Sequence, residues 1–420
     1  MKLFGFPFCE IEFTGKGEYS QESVDSLIDL VKEESITDLL VISHGWKNNR
    51  DDANYIYVNL LEQLSVQLEN YNYEFNERRF GALLVFWPSR WLGGEDYRIA
   101  LNTQLEEIEY FLTTENEKNL LLEAKEEAKF IGISDHNPRR FLQLIKKIQA
   151  PDKNPLQLEP EDKVYEHLDP SEEVELLARL VDDESIDSPS DGHAAGFGQF
   201  TYWLVDAAQN FVNNVTYSRM RERAGVIGWN GLHKVLSKLK ENVDGVKLHL
   251  VGHSFGARLV TAAVSSNESG KRLEVDTLTL LQAAFSQYAF ASKKSVPLLE
   301  TDGMFRNVIS DNLVKGPILI TYSKNDISIR KYYELASKLV PRHVGTHIRR
   351  GNELNLYGGL GNNGAQEIGA ITGVVLNDNA NYTFSKGLVY NLDADQYILG
   401  HSDILKPGIA KVILSAIKTC

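Results

Sequence analysis

The sequence predicts an α/β fold: a mainly parallel central sheet flanked by helices, with a large, mostly helical insertion ahead of one central strand. Three observations lead there. Short apolar, β-prone runs alternate with amphipathic segments over most of the 420 residues, the alternation that builds helices onto parallel strands. The runs are near-continuous in apolar residues, as strands covered on both faces require. One interval, residues 90–245, is far longer than a single crossover helix needs.

Taken in order, residues 36–43 (Ile-Thr-Asp-Leu-Leu-Val-Ile-Ser), 80–86, 246–252, 275–282, 316–322 and 383–392 read as strands. Between them, Val24, Leu27, Ile28 and Val31 form one helical apolar face. Tyr55, Val58, Leu61, Leu64 and Leu68 form a second, and Tyr332, Leu335, Ala336 and Leu339 a third that stops at Pro341. Residues 408–418 close the chain as a helix. The core of the fold is expected over 1–100 and 225–420, and the insertion over 101–224. Within the insertion, 104–149 is charged and helical, and 151–191 holds five of the 12 prolines. The stretch 192–198 is a Gly-rich joint, after which Phe200, Trp203, Leu204, Ala207, Phe211 and Val215 recur at helical spacing.

The formal charge of −14 is concentrated in one place. Between Glu159 and Asp191 stand 13 carboxylates against Lys163 and Arg179, a local charge of −11. No basic stripe offsets that field, so nucleic acid is not an expected partner. No run approaches the roughly 18–20 apolar residues of a membrane span, and the apolar start at Leu3–Phe8 is too short for a secretory signal, so a cytoplasmic protein without a transmembrane segment is expected. Cys9 and Cys420 stand at opposite ends and read as reduced thiols; neither belongs to a metal-type cluster.

The chemistry is signalled at residues 246–265, where an apolar strand stops and a helix-prone run begins at Gly252-His253-Ser254-Phe255-Gly256. Glycines at i−2 and i+2 leave room for a sharp strand-to-helix turn that exposes Ser254 Oγ as a nucleophile. A serine nucleophile needs a base and an acid on loops at the same sheet edge. Asp326 follows the strand 316–322 through a polar turn; alone it would read as a helix cap, but its place after the serine makes it the acid. His401 follows the last strand and a loop, and is the expected base. His343 and His347 compete with it, but no strand separates them from Asp326. The backbone N–H groups of Trp46, in the turn after strand 36–43, and of Phe255, heading the helix, are the expected oxyanion donors. His44 reads as a residue holding that turn.

These segments resemble the α/β-hydrolase fold. Ser43-His44-Gly45-Trp46-Lys47-Asn48-Asn49, Phe86-Trp87-Pro88-Ser89 and Leu248-His249-Leu250-Val251-Gly252-His253-Ser254-Phe255-Gly256 are similar to those of uncharacterised bacterial serine-hydrolase proteins of the esterase or lipase type. The resemblance implies hydrolysis of a small-molecule or lipid ester through an acyl-enzyme, with no cofactor and no metal. Two other readings stand beside it: a catalytically silent scaffold binding a protein or lipid partner through the insertion, and an amidase or thioesterase of the same fold. The insertion departs from the family's usual cap position. Gly358–Gly364 lacks the Lys-Ser/Thr of a phosphate loop and reads as a structural loop near the site.

Overall fold

The computed structural model describes residues 2–70, 75–89, 114–129, 139–149, 220–266, 272–296, 301–330 and 357–420 except Asn379, with single positions between 105 and 112 and at 217 and 299. The acidic stretch 159–191, the Gly-rich joint, the apolar face from Phe200 to Val215, the helix expected from Tyr332, and both His343 and His347 lie outside the described residues. The residues gather into two compact units. One holds Met1–Arg90, Arg221–Ser337 and His347–Cys420; the other holds Trp91–Met220 and Lys338–Thr346.

The first unit is built on nine strands: β1 (Lys2–Leu3), β2 (Phe6–Glu12), β3 (Asp38–Ser43), β4 (Phe80–Phe86), β5 (Lys247–His253), β6 (Thr277–Leu281), β7 (Ile318–Tyr322), β8 (Ile371–Val375) and β9 (Val389–Asp393). They lie in the order β1-β2-β4-β3-β5-β6-β7-β9-β8. Every neighbouring pair is parallel except β1 with β2. Helices of this unit include α1 (Gln21–Glu33), α2 (Arg50–Asn70), α5 (His233–Asn242), α6 (Phe255–Ser265), α7 (Arg306–Ser310), α8 (Leu360–Asn363) and α9 (Pro407–Lys418); α3 (Glu115–Ala128) and α4 (Arg139–Gln149) belong to the second.

Helices cover both faces, which is why all six residues of β3 are buried although successive side chains point oppositely. On one face Leu40, Ile42, Ala82, Leu84 and Val251 pack with Tyr57, Leu61 and Leu64 of α2 and with Ile409, Val412, Ile413 and Ile417 of α9. α1 and α6 pack on the strands from the other side, and α5 packs against α1 and α6. A π turn, Gly228–Leu232, leads into α5. Its Gly228 lets the backbone meet α6, since a Cβ there would stand 2.3 Å from the Leu259 carbonyl oxygen.

Four readings of the sequence are revised. β2 was not expected, because Pro7 and the mixed Phe-Cys-Glu-Ile-Glu run give no clean period; Pro7 is tolerated here since it lies in the antiparallel pairing with the two-residue edge strand β1. β8 was also missed, being short, exposed and interrupted by a bulge beside Gly373, whose φ is 83°. The strand expected over 383–392 begins only at Val389: Phe384 packs edge-on against Tyr390, and the Ser385 N–H donates to the Tyr390 hydroxyl at 2.9 Å. On α2 Leu61 and Leu64 of the expected face are buried, but Tyr55 is 64% exposed, and Ala53, Tyr57 and Leu60 are buried instead, the Tyr57 hydroxyl donating to the Val85 carbonyl.

In the second unit α3 opens on a capping box: the Thr114 side chain accepts from the Glu117 N–H, and the Glu117 carboxylate accepts from the Thr114 N–H. α3 and α4 pack together through Leu121, Ala124, Phe141, Ile145 and Ile148. Arg140 of α4 reaches Glu123 and Glu127 of α3.

Candidate active site

The chain leaves β3 toward β4 on one side and leaves β5 toward β6 on the other. The carboxyl ends of β3 and β5 therefore flank a topological switch point, the place where a parallel sheet opens a crevice for ligands. Register aligns the two ends, with Ser43 opposite Gly252. Both loops expected to carry chemistry, His44–Asn48 and His253–Gly256, emerge there.

Ser254 sits between β5 and α6 with φ 57° and ψ −121°. A side-chain-bearing residue adopts such a backbone only when its surroundings impose it. Here they do. The Ser254 N–H donates to the Leu281 carbonyl at 3.0 Å, and the Ser254 carbonyl accepts from the Ala257 N–H at 3.1 Å. A Cβ at Gly252 would stand 2.5 Å from the Ala257 nitrogen, and one at Gly256 2.3 Å from the Ser43 carbonyl oxygen. The two glycines of the motif are thus required by backbone meeting backbone.

His401 follows β9 and a turn. Its Nε2 lies 2.7 Å from Ser254 Oγ and its Nδ1 lies 2.8 Å from Asp326 Oδ2. Because a carboxylate only accepts, Nδ1–H donates to Asp326 and Nε2 is the ring nitrogen that faces the serine hydroxyl. Asp326 is fully buried, and its Oδ1 accepts from the Ile329 N–H at 3.1 Å. Asp326 therefore also caps the turn that follows, combining both roles its sequence position suggests. Ser254 is buried at 3% exposure, and of the pair it is the His401 side chain, 21% exposed, that reaches solvent.

The loop after β3 is held against this group. A Cβ at Gly45 would stand 2.7 Å from Ser254 Cβ, so Gly45 is the residue that brings Trp46 beside the Ser254 turn. Asn48 Nδ2 donates to the Gly45 carbonyl at 2.9 Å and to the Trp46 carbonyl at 3.2 Å. The Trp46 and Phe255 rings lie 5.8 Å apart. His44 is stacked on Trp87 and fully enclosed; burial lowers its pKa to about 4, so it stays neutral. Its carbonyl accepts from Trp87 Nε1 at 3.0 Å and its N–H donates to the Tyr57 hydroxyl at 3.1 Å.

Two more side chains touch the three. His253 Nε2–H donates to the His401 carbonyl at 2.9 Å, and the two rings are 4.9 Å apart. Burial, then the nearby His401, lower the His253 pKa to about 3, so it does not compete for a proton. Gln282, the residue after β6, donates from Nε2 to Asp326 Oδ2 at 3.0 Å. Neither was singled out from the sequence. His253 could have been noticed as a neighbour of the serine; Gln282 carries no local signal. Behind it, the Gly358–Gly364 segment includes α8 and supports the acid loop, the Ser323 N–H donating to the Gly361 carbonyl at 2.9 Å.

Among the described residues no group of three His, Cys, Asp or Glu is placed to hold a metal ion, and no helix is long and apolar enough to cross a membrane. No protein-family model matches the chain, and searches of curated proteins and of solved structures return no match.

Proposed function

We propose that this protein is a serine hydrolase of the α/β-hydrolase type that cleaves a carboxylic ester through an acyl-enzyme on Ser254. The observation that carries the reading is the hydrogen-bonded run from Ser254 through His401 to Asp326, ending on a strained hydroxyl at the switch point of a parallel sheet. The chain order Ser, Asp, His agrees with that fold, as does the strand–turn–helix context of the serine. In this reading the residues between β4 and β5 supply the insertion, and the chemistry calls for no cofactor.

In the first half-reaction His401 Nε2 takes the Ser254 proton as Oγ attacks the ester carbonyl, and Asp326 holds the imidazole with Nδ1–H toward it. Negative charge develops on the carbonyl oxygen. The Trp46 and Phe255 backbone N–H groups are the proposed donors to it, the latter at the positive end of α6. His401 then returns the proton to the departing alcohol, and a water attacks the acyl-serine by the same path reversed.

A fluorophosphonate probe tests the assignment. Wild-type protein should be labelled at Ser254, and Ser254→Ala should abolish the labelling; equal labelling of the variant would remove the serine from the mechanism. p-Nitrophenyl esters of increasing chain length then place the protein between esterase and lipase.

A further inference from the structure

We infer that Gln282 is a positioning residue of this site: its side-chain amide fixes the oxygen of Asp326 that receives His401. The inference rests on the hydrolase reading above. Gln282 is completely buried and stands in the left-handed region with φ 44°. Backbone strain at a buried, non-glycine polar residue persists where the surroundings over-determine it. The amide shows what is being held.

Each of its hydrogen-bonding groups is occupied. Nε2 donates to Asp326 Oδ2 at 3.0 Å and to the Gly361 carbonyl at 3.1 Å, while Oε1 accepts from Thr321 Oγ1 at 3.0 Å. The Gln282 backbone N–H in turn donates to Thr321 Oγ1 at 3.0 Å. That last bond uses the lone-pair side of the threonine, so its proton goes to Oε1. The amide therefore has one orientation only, because a flipped amide would set Oε1 against a carboxylate and a carbonyl. Gly361 permits this approach, since a Cβ there would stand 2.5 Å from the Gln282 carbonyl carbon.

Gln282 Nε2 and His401 Nδ1 converge on the same carboxylate oxygen, and Ile329 N–H takes the other. Rotation of the carboxylate would break all three bonds together. The amide donates to the carboxylate without adding positive charge. The whole negative charge of Asp326 thus remains available to the imidazolium formed when Ser254 is deprotonated. A guanidinium in the same place would spend part of that charge. Among the described residues the titratable groups in contact here are Asp326, His401 and the buried neutral His253.

Two variants test the role. Gln282→Leu keeps the volume and removes the donor; kcat on an activated ester should fall about 10-fold or more with KM within about twofold, since the contact acts on proton transfer and not on substrate binding. Gln282→Glu sets a second carboxylate against Asp326, which favours the imidazolium; the acid limb of kcat/KM should move to higher pH. The low-field proton resonance of the His401 Nδ1–H should shift in both. A folded Gln282→Leu with kcat within about twofold of wild type and an unmoved resonance would overturn the assignment. If that variant does not fold, an unshifted acid limb in Gln282→Glu overturns it equally. Should the wild type neither label nor turn over any ester, the hydrolase reading fails by itself; the resonance then decides the contact alone, displaced for the role assigned and unmoved against it.

Discussion

Two histidine–aspartate pairs stand at opposite edges of the same sheet, and each is completed by a hydroxyl. At the carboxyl edge His401 bridges Ser254 and Asp326. At the amino edge His249 Nδ1 lies 3.0 Å from Thr277 Oγ1 and its Nε2 lies 2.9 Å from Asp38 Oδ1. The connectivity is the same with the two ring nitrogens exchanged. The surroundings are opposite. Asp38 and His249 are fully buried and Thr277 nearly so, on regular strands. Arg78 grips Asp38 at 2.7 Å and offsets its charge. Ser254, though as buried as Thr277, instead sits on a strained turn beside an imidazole whose side chain is 21% exposed, and among the described residues Asp326 meets amide and imidazole N–H donors and no Lys or Arg. A hydroxyl, an imidazole and a carboxylate in line are therefore not yet a machine. A part-exposed imidazole, a forced hydroxyl and a carboxylate with no cationic partner among the described residues separate the candidate site from a structural clamp built of the same groups.

The comparison can be broken most sharply by paired substitutions. Ser254→Ala should lower kcat on an activated ester by at least about 10⁴-fold, whereas Thr277→Val should leave it within about twofold; steady-state kinetics on both, with unfolding curves as control, would refute the contrast if the two behaved alike. Asp326→Asn should cost about 10⁴-fold in kcat with the fold intact, because the amide can hold His401 in the wrong tautomer.

Asp38→Asn acts on stability instead. Removing one partner of a buried ion pair leaves Arg78 uncompensated, and urea unfolding at neutral pH should show a loss of about 3 kcal/mol. The wild-type pH dependence follows with its sign. Burial opposes ionisation of Asp38, but hydrogen bonds from His249 and Thr37 and the Arg78 charge outweigh it, holding the carboxyl at about 2 against an ordinary 3.8. The unfolded chain takes up that proton first, so about 2 kcal/mol of stability is present above pH 4 and lost as pH falls toward 2. His249 adds an earlier decline: burial lowers its pKa from 6.5, so the unfolded chain gains a proton that the folded one refuses as pH falls below that value. In Asp38→Asn the slope between pH 4 and 2 should flatten; an unchanged slope would show the pair to be idle.

The smallest effect is expected at His253→Phe. Losing the bond to the His401 carbonyl should lower kcat about 10-fold while fluorophosphonate labelling continues at a reduced rate. Full-speed labelling would mean that the loop holds His401 without help.

Much of the candidate site is legible in the linear chain because its signals are local. The two glycines around Ser254 announce a tight turn wherever that turn ends up, and apolar continuity in 36–43 and 246–252 marks strands covered on both faces. The order of serine, aspartate and histidine after successive strands follows from parallel crossovers, which deliver every strand's carboxyl end to one edge. The folded chain alone decided the rest. Whether Asp326 caps a helix or holds an imidazole depends on residues 75 positions away, and it does both. On α2 the apolar pattern found Leu61 and Leu64, but that Tyr57 and not Tyr55 turns inward shows only in the fold, where the Tyr57 hydroxyl meets the Val85 carbonyl. Gln282 illustrates the limit: neither its positive φ nor its grip on Asp326 leaves any trace in its neighbours along the chain, because both are imposed by Thr321 and Gly361, which only folding brings beside it. Local periodicity and turn chemistry are properties of a few consecutive residues; strain, burial of charge and the convergence of three loops are properties of the packed whole.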